Sequence, residues 1–165
     1  MSTLRHLAIA RSQLYVREDK GRNEDIGGQI AKYRSAVRDS RYIMIEGDPY
    51  CAAFVSWCLE RADMPLVHPF GSGFSYVPWL IDWLIDEDRY IPLENGAISG
   101  SPIQIGDLVF FQHGDRPDHV GIISEINELS LTTIEGNVGS FPNGGVATMI
   151  RVPDHGMIGF GILRP

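Results

Sequence analysis

The sequence predicts an α+β fold, on two observations. Apolar residues recur at helical spacing through roughly the first half of the chain. Short apolar runs parted by Gly, Pro, Asn and Asp fill the second half and read as strands and turns. Helices first and strands afterwards indicate α+β rather than alternating βαβ units. A chain of 165 residues, 44% apolar and 21% charged, supports a single domain over 1–165 with a sizeable core. It contains no internal repeat, no linker and no apolar run near the ~20 residues of a membrane helix.

Residues 3–17 are expected to form a short helix, with Leu4, Leu7, Ala8, Leu14 and Tyr15 along one side. Residues 18–28 make a polar loop ending in Gly27-Gly28. A second helix is expected near 24–38, with Ile26, Ile30, Tyr33 and Val37 at helical spacing. Residues 39–47 lead into Asp48-Pro49-Tyr50-Cys51-Ala52-Ala53-Phe54-Val55-Ser56-Trp57-Cys58-Leu59, the opening of a buried helix over 49–63 that Pro65 stops. Asp48 is the expected N-cap and Pro49 the first helical residue. That puts Cys51 third, among backbone N–H groups with no intrahelical partner, where the helix dipole favours thiolate over thiol.

Cys58 reads as a core residue, two turns further along a stripe of Phe54, Val55, Leu59 and Ala62. Along such a helix the two cysteines stand roughly 10.5 Å apart at ~1.5 Å per residue, too far for the ~7 Å Cα limit of a disulfide. Both are expected to be free thiols. A Pro-, Gly- and Ser-rich loop over 65–75 follows, then a third helix near 77–87 with Trp79 and Trp83 one turn apart as core residues. Strands are expected at 108–111, 119–126, 131–137, 146–152 and 157–163, with a polar loop at 112–118 and a turn at 139–145.

A catalytic cysteine needs a base, and the base needs an orienting group. Of five histidines, His6 lies in an N-terminal region expected to fray, His68 and His155 lie in loops near prolines, and His113 lies in the 112–118 loop. His119 opens an apolar strand. If strands 119–126 and 130–137 pair through the loop Asn127-Glu128-Leu129, paired positions sum to 256, and Ile122 meets Ile134 on the buried face. His119 then lies opposite Asn137, with Glu135 diagonal on the same face; a one-residue slip would separate them. Either the carboxylate or the amide could fix the imidazole tautomer. The plainer reading is a polar sheet edge.

Residues 1–46 carry nine of the fourteen Lys and Arg against six acids, a balance of +3; the remainder stands at −10. This gives no basic face with interleaved aromatics, so nucleic acid is not an expected partner. The stretch Met1 to Arg11 is too short in apolar residues for a signal peptide. Synthesis and folding in the cytoplasm are therefore expected.

Asp48-Pro49-Tyr50-Cys51, Gly106-Asp107-Leu108-Val109-Phe110-Phe111, His119-Val120-Gly121-Ile122-Ile123 and Ile134-Glu135-Gly136-Asn137 occur in that order. Together they resemble the CHAP family, the cysteine, histidine-dependent amidohydrolases and peptidases of bacterial cell walls and many phage lysins. The resemblance covers about 24–163. It implies a papain-like fold, with N-terminal helices packed on an antiparallel sheet or half-barrel and the cysteine at a helix start. It implies Cys51 as nucleophile, His119 as base, and Glu135 and Asn137 as the third and fourth polar positions. Tyr50 is a candidate oxyanion donor on adjacency alone. Some relatives bind calcium just before the cysteine helix; here that region offers only Glu46 and Asp48, so no metal and no cofactor is expected. The implied partner is peptidoglycan or its peptide stems, with an immunity or inhibitor protein or a phage structural protein as possible protein partners. A non-catalytic wall- or protein-binding module, or a cysteine hydrolase of non-wall peptides, are the competing readings.

Overall fold

The computed structural model describes residues 4–94, 98–153 and 156–163. His155, weighed above, lies outside them. The chain forms two compact units, and it passes between them more than once: the first unit takes 1–75 and 135–147, the second 76–134 and 148–165.

In the first unit, α1 (Arg5–Arg11), α2 (Gln29–Ser35) and α3 (Cys51–Arg61) carry the core. α1 and α2 both pack on α3. Tyr33 of α2 meets Phe54 and Trp57 of α3 edge-on, each at 5.2 Å, and stacks on Tyr50 at 6.0 Å. Beside them β1 (Arg38–Asp39), β2 (Val67–His68) and β3 (Gly71–Ser72) form a small antiparallel sheet in the order β1-β3-β2. Gly71 has φ +140, and a Cβ there would fall 1.8 Å from the Arg38 carbonyl oxygen, so only glycine fits.

The helices are shorter than the sequence predicts, for local reasons. α1 ends at Arg11 instead of 17 because Ser12 Oγ turns back to the Ile9 carbonyl and the backbone tightens into three-residue turns. His6 is buried in it, not frayed. α2 starts at Gln29, not 24, because the Asp25 carboxylate accepts the N–H groups of Gln29 and Ile30, both at 2.7 Å, across a left-handed Gly28. α3 ends before Pro65 is reached. Asp63 adopts φ +62, its N–H bonds the Glu60 carbonyl at 3.1 Å, and the Met64 N–H bonds that of Leu59 at 2.9 Å, a Schellman stop.

In the second unit α4 (Val77–Asp86) starts with a proline in its first turn, as predicted, and leaves Trp79 and Trp83 only half-buried. The strands are β4 (Tyr90–Pro92), β5 (Leu108–Phe111), β6 (His119–Ile126), β7 (Leu131–Val138), β8 (Gly145–Arg151) and β9 (Met157–Gly161). They order as β4-β9-β5-β6-β7-β8, antiparallel from β4 through β7; β7 and β8 each lie partly in the first unit. Val109, Phe111, Ile123, Leu131, Met157 and Phe160 fill the core of this unit with Ile98 and Ile103. Asp107, 3% exposed, ties its ends: its carboxylate accepts the N–H of Gln104 at 2.8 Å and of Leu163 at 3.0 Å.

Candidate active site

Cys51 is the first residue of α3, two positions nearer the helix start than expected. Tyr50 takes the capping position, and its carbonyl accepts the Phe54 N–H at 2.7 Å. The N–H groups of Cys51, Ala52 and Ala53 therefore precede the first intrahelical bond and lie at the positive end of the helix. Asp48 is not the cap. Its carboxylate accepts the Ile45 N–H at 2.8 Å and the Tyr42 hydroxyl at 2.9 Å, closing the loop before the helix.

Cys51 is 3% exposed, and both cysteines are free thiols. Cys58 is fully enclosed, and burial pushes its thiol far above the ordinary value, with Lys32 pulling weakly the other way. It is a core residue.

Glu135 and Asn137 belong to the part of β7 that lies in the first unit with Cys51. Between them Gly136 lets the strand approach α3: a Cβ there would come 2.7 Å from the Phe54 Cβ. Glu135 is fully buried. Asn137 is half-buried, with φ +62. Its backbone N–H donates to the Tyr50 hydroxyl oxygen. That hydroxyl donates in turn to Glu18 Oε1 at 3.4 Å. The Tyr50 proton is thus directed at a buried carboxylate. Burial, and then the Glu18 charge, push this phenol far above its ordinary range.

His119 opens β6 in the second unit, 9% exposed and paired with Phe111 of β5; the two rings lie 5.9 Å apart. The expected register holds at Ile122↔Ile134 and Ile123↔Thr133. It then shifts at Ser124, whose hydroxyl donates to the Thr132 carbonyl at 3.0 Å. The loop consequently extends to Ser130. Two other histidines are committed elsewhere: His113 pairs with Asp118 at 2.9 Å on the exterior, and His68 bonds the Gly73 carbonyl at 2.9 Å.

Glu46 pairs with Lys20 at 2.6 Å. Among the described residues no group of three or more His, Cys, Asp or Glu is placed to hold a metal ion. None of their helices is long and apolar enough to cross a membrane.

Two residues with evident work went unassigned in the sequence. Asp107 was visible only as part of a Gly-Asp pair before a strand. Glu18 lay within a polar loop, and no signal in that loop distinguishes it from its neighbours.

A search of curated proteins finds no match. The CHAP domain family model matches residues 44–137, more than half of the chain, and the matched segment contains Cys51, His119, Glu135 and Asn137. The chain belongs to the CHAP domain family.

Proposed function

We propose that this chain hydrolyses an amide bond of peptidoglycan through an acyl-enzyme on Cys51. The reading is carried by one observation: a single family match spans the cysteine, the histidine and both polar residues. CHAP domains are cysteine- and histidine-dependent amidohydrolases and peptidases at the level of the family. The bond is the lactyl–alanine amide or a peptide bond of the stem or cross-bridge.

In this mechanism His119 takes the Cys51 thiol proton and the sulfur attacks the carbonyl carbon. The oxyanion is held by the Cys51 N–H at the start of α3, together with a second donor. Tyr50 directs its proton to Glu18, so it serves here to hold the helix start and not as that donor. Glu135 or Asn137 accepts the imidazole N–H and orients it. The tetrahedral adduct collapses, and the leaving amine takes the proton from His119. Water then attacks the thioester, passing a proton back through His119, and releases the acid and the free thiol. The substrate places the action at the cell wall, after export or release of the protein.

The test is mass spectrometry of purified peptidoglycan after digestion. The wild-type protein should release new amino groups at one bond type, and Cys51→Ser and His119→Ala should release none. Unaltered peptidoglycan alongside cleaved non-wall peptides would replace this substrate with the competing one.

A further inference from the structure

Glu18 lies between α1 and α2, outside the matched segment 44–137. It is 1% exposed. Its backbone N–H donates to the Gly144 carbonyl at 2.9 Å, and the neighbouring Arg17 bridges Gly145 at the start of β8. The Arg17 guanidinium is directed at the carbonyls of Leu14, Val16 and Val146. Of the two carboxylate oxygens, Oε1 accepts the Tyr50 hydroxyl and Oε2 is buried with no hydrogen-bond partner.

Burying a carboxylate with one oxygen unpaired is unfavourable, and leucine would fill this space at lower cost. The surroundings nonetheless accommodate it. A Cβ on Gly144 would fall 2.6 Å from the carboxyl carbon, so the glycine leaves room for the acid. A costly buried group with space kept for it calls for a role. The hydrogen bonds supply one, running from the Asn137 N–H to the Tyr50 hydroxyl and on to Glu18. Tyr50 caps the helix that begins with Cys51. Asn137 lies in the left-handed region, which asparagine adopts more readily than most residues, and its N–H is thereby turned to the Tyr50 hydroxyl.

The geometry points to Glu18 as a positioning residue: through Tyr50 it holds the start of α3 and the Asn137 end of β7 in one fixed arrangement. This rests on the hydrolase reading for its effect on turnover, but not for its effect on Asn137.

Three variants test it: Glu18→Gln, which keeps an acceptor oxygen, Glu18→Leu, which removes it, and Gly144→Ala, whose methyl displaces the carboxylate. Each is assayed for kcat and KM on solubilised peptidoglycan, and its Asn137 amide is followed by NMR and hydrogen exchange. Glu18→Leu and Gly144→Ala should lower kcat by about ten- to a hundred-fold, as expected for a misplaced catalytic constellation, with KM nearly unchanged. The Asn137 amide should shift and exchange faster in both. Glu18→Gln should restore most of the turnover and most of the protection. A folded Glu18→Leu protein with unchanged kcat, or with an unmoved Asn137 amide, overturns the proposal. So does a Gln variant as impaired as Leu. Wild-type protein inert on peptidoglycan overturns the hydrolase reading instead, while the Asn137 amide still shows whether Glu18 fixes the strand.

Discussion

Cys58 is fully enclosed and its thiol stays protonated well above the ordinary value of 9.0, whereas Cys51 stands at a helix start. A thiol-directed reagent at neutral pH should therefore modify Cys51 and leave Cys58 untouched until the protein is unfolded, as peptide mapping would show. Cys51→Ser should cut turnover by about three orders of magnitude or more with the fold retained. Cys58→Ser should keep turnover but lose about 1–3 kcal/mol of stability in urea unfolding, because a hydroxyl replaces sulfur in an apolar site. The contrast between these cysteines was legible from helical spacing alone. The role of Asp48 was not, since a carboxylate before a helix can serve the turn behind it as readily as the helix ahead, and here Tyr42 and Ile45 claim it. Glu18 was illegible because its partners, Tyr50 and Gly144, come from distant parts of the chain.

The long strands β5, β6 and β7 lie within one residue of their expected ends, because apolar runs bounded by turn residues are local signals. Strands of two or three residues, β1 to β4, carried no such signal; they exist because a partner backbone passes close by, as Gly71 against Arg38 illustrates. α3 ends two residues short of its expected end for a related reason. It stops at an aspartate in the left-handed conformation, Asp63, as α4 does at Asp88, where glycine is the residue usually sought. The contact between α3 and β7 depends on the missing side chain at Gly136. Gly136→Ala should cost about 1–3 kcal/mol by overpacking Phe54, read as a lowered unfolding midpoint. Asp107→Ala removes the acceptor for two backbone N–H groups and should cost about 1–3 kcal/mol, the desolvation penalty of the buried Leu163 N–H left unpaired, read as a lowered unfolding midpoint.

At the scale of the molecule, stability should fall on the alkaline side. Burial raises the Cys58 thiol above its ordinary 9.0 and the Tyr33 and Tyr50 phenols above 10.0. Above those values the unfolded chain sheds protons that the folded chain retains, so the slope of stability with pH is negative. Each group should remove up to about 1.4 kcal/mol per pH unit beyond its ordinary value. Urea midpoints measured from pH 7 to 10.5 should hold steady and then drop from near 9, and Cys58→Ala should delay the onset towards 10. The α+β class was legible, because periodicity changes from helical to extended along the chain. The division into interleaved units was not, since it depends on which distant segments meet. That interleaving bears on biosynthesis. Cys51 leaves the ribosome early, but Glu135 and Asn137 follow only after 76–134 have been made. A premature stop anywhere in that interval yields a chain that carries Cys51 but neither Glu135 nor Asn137.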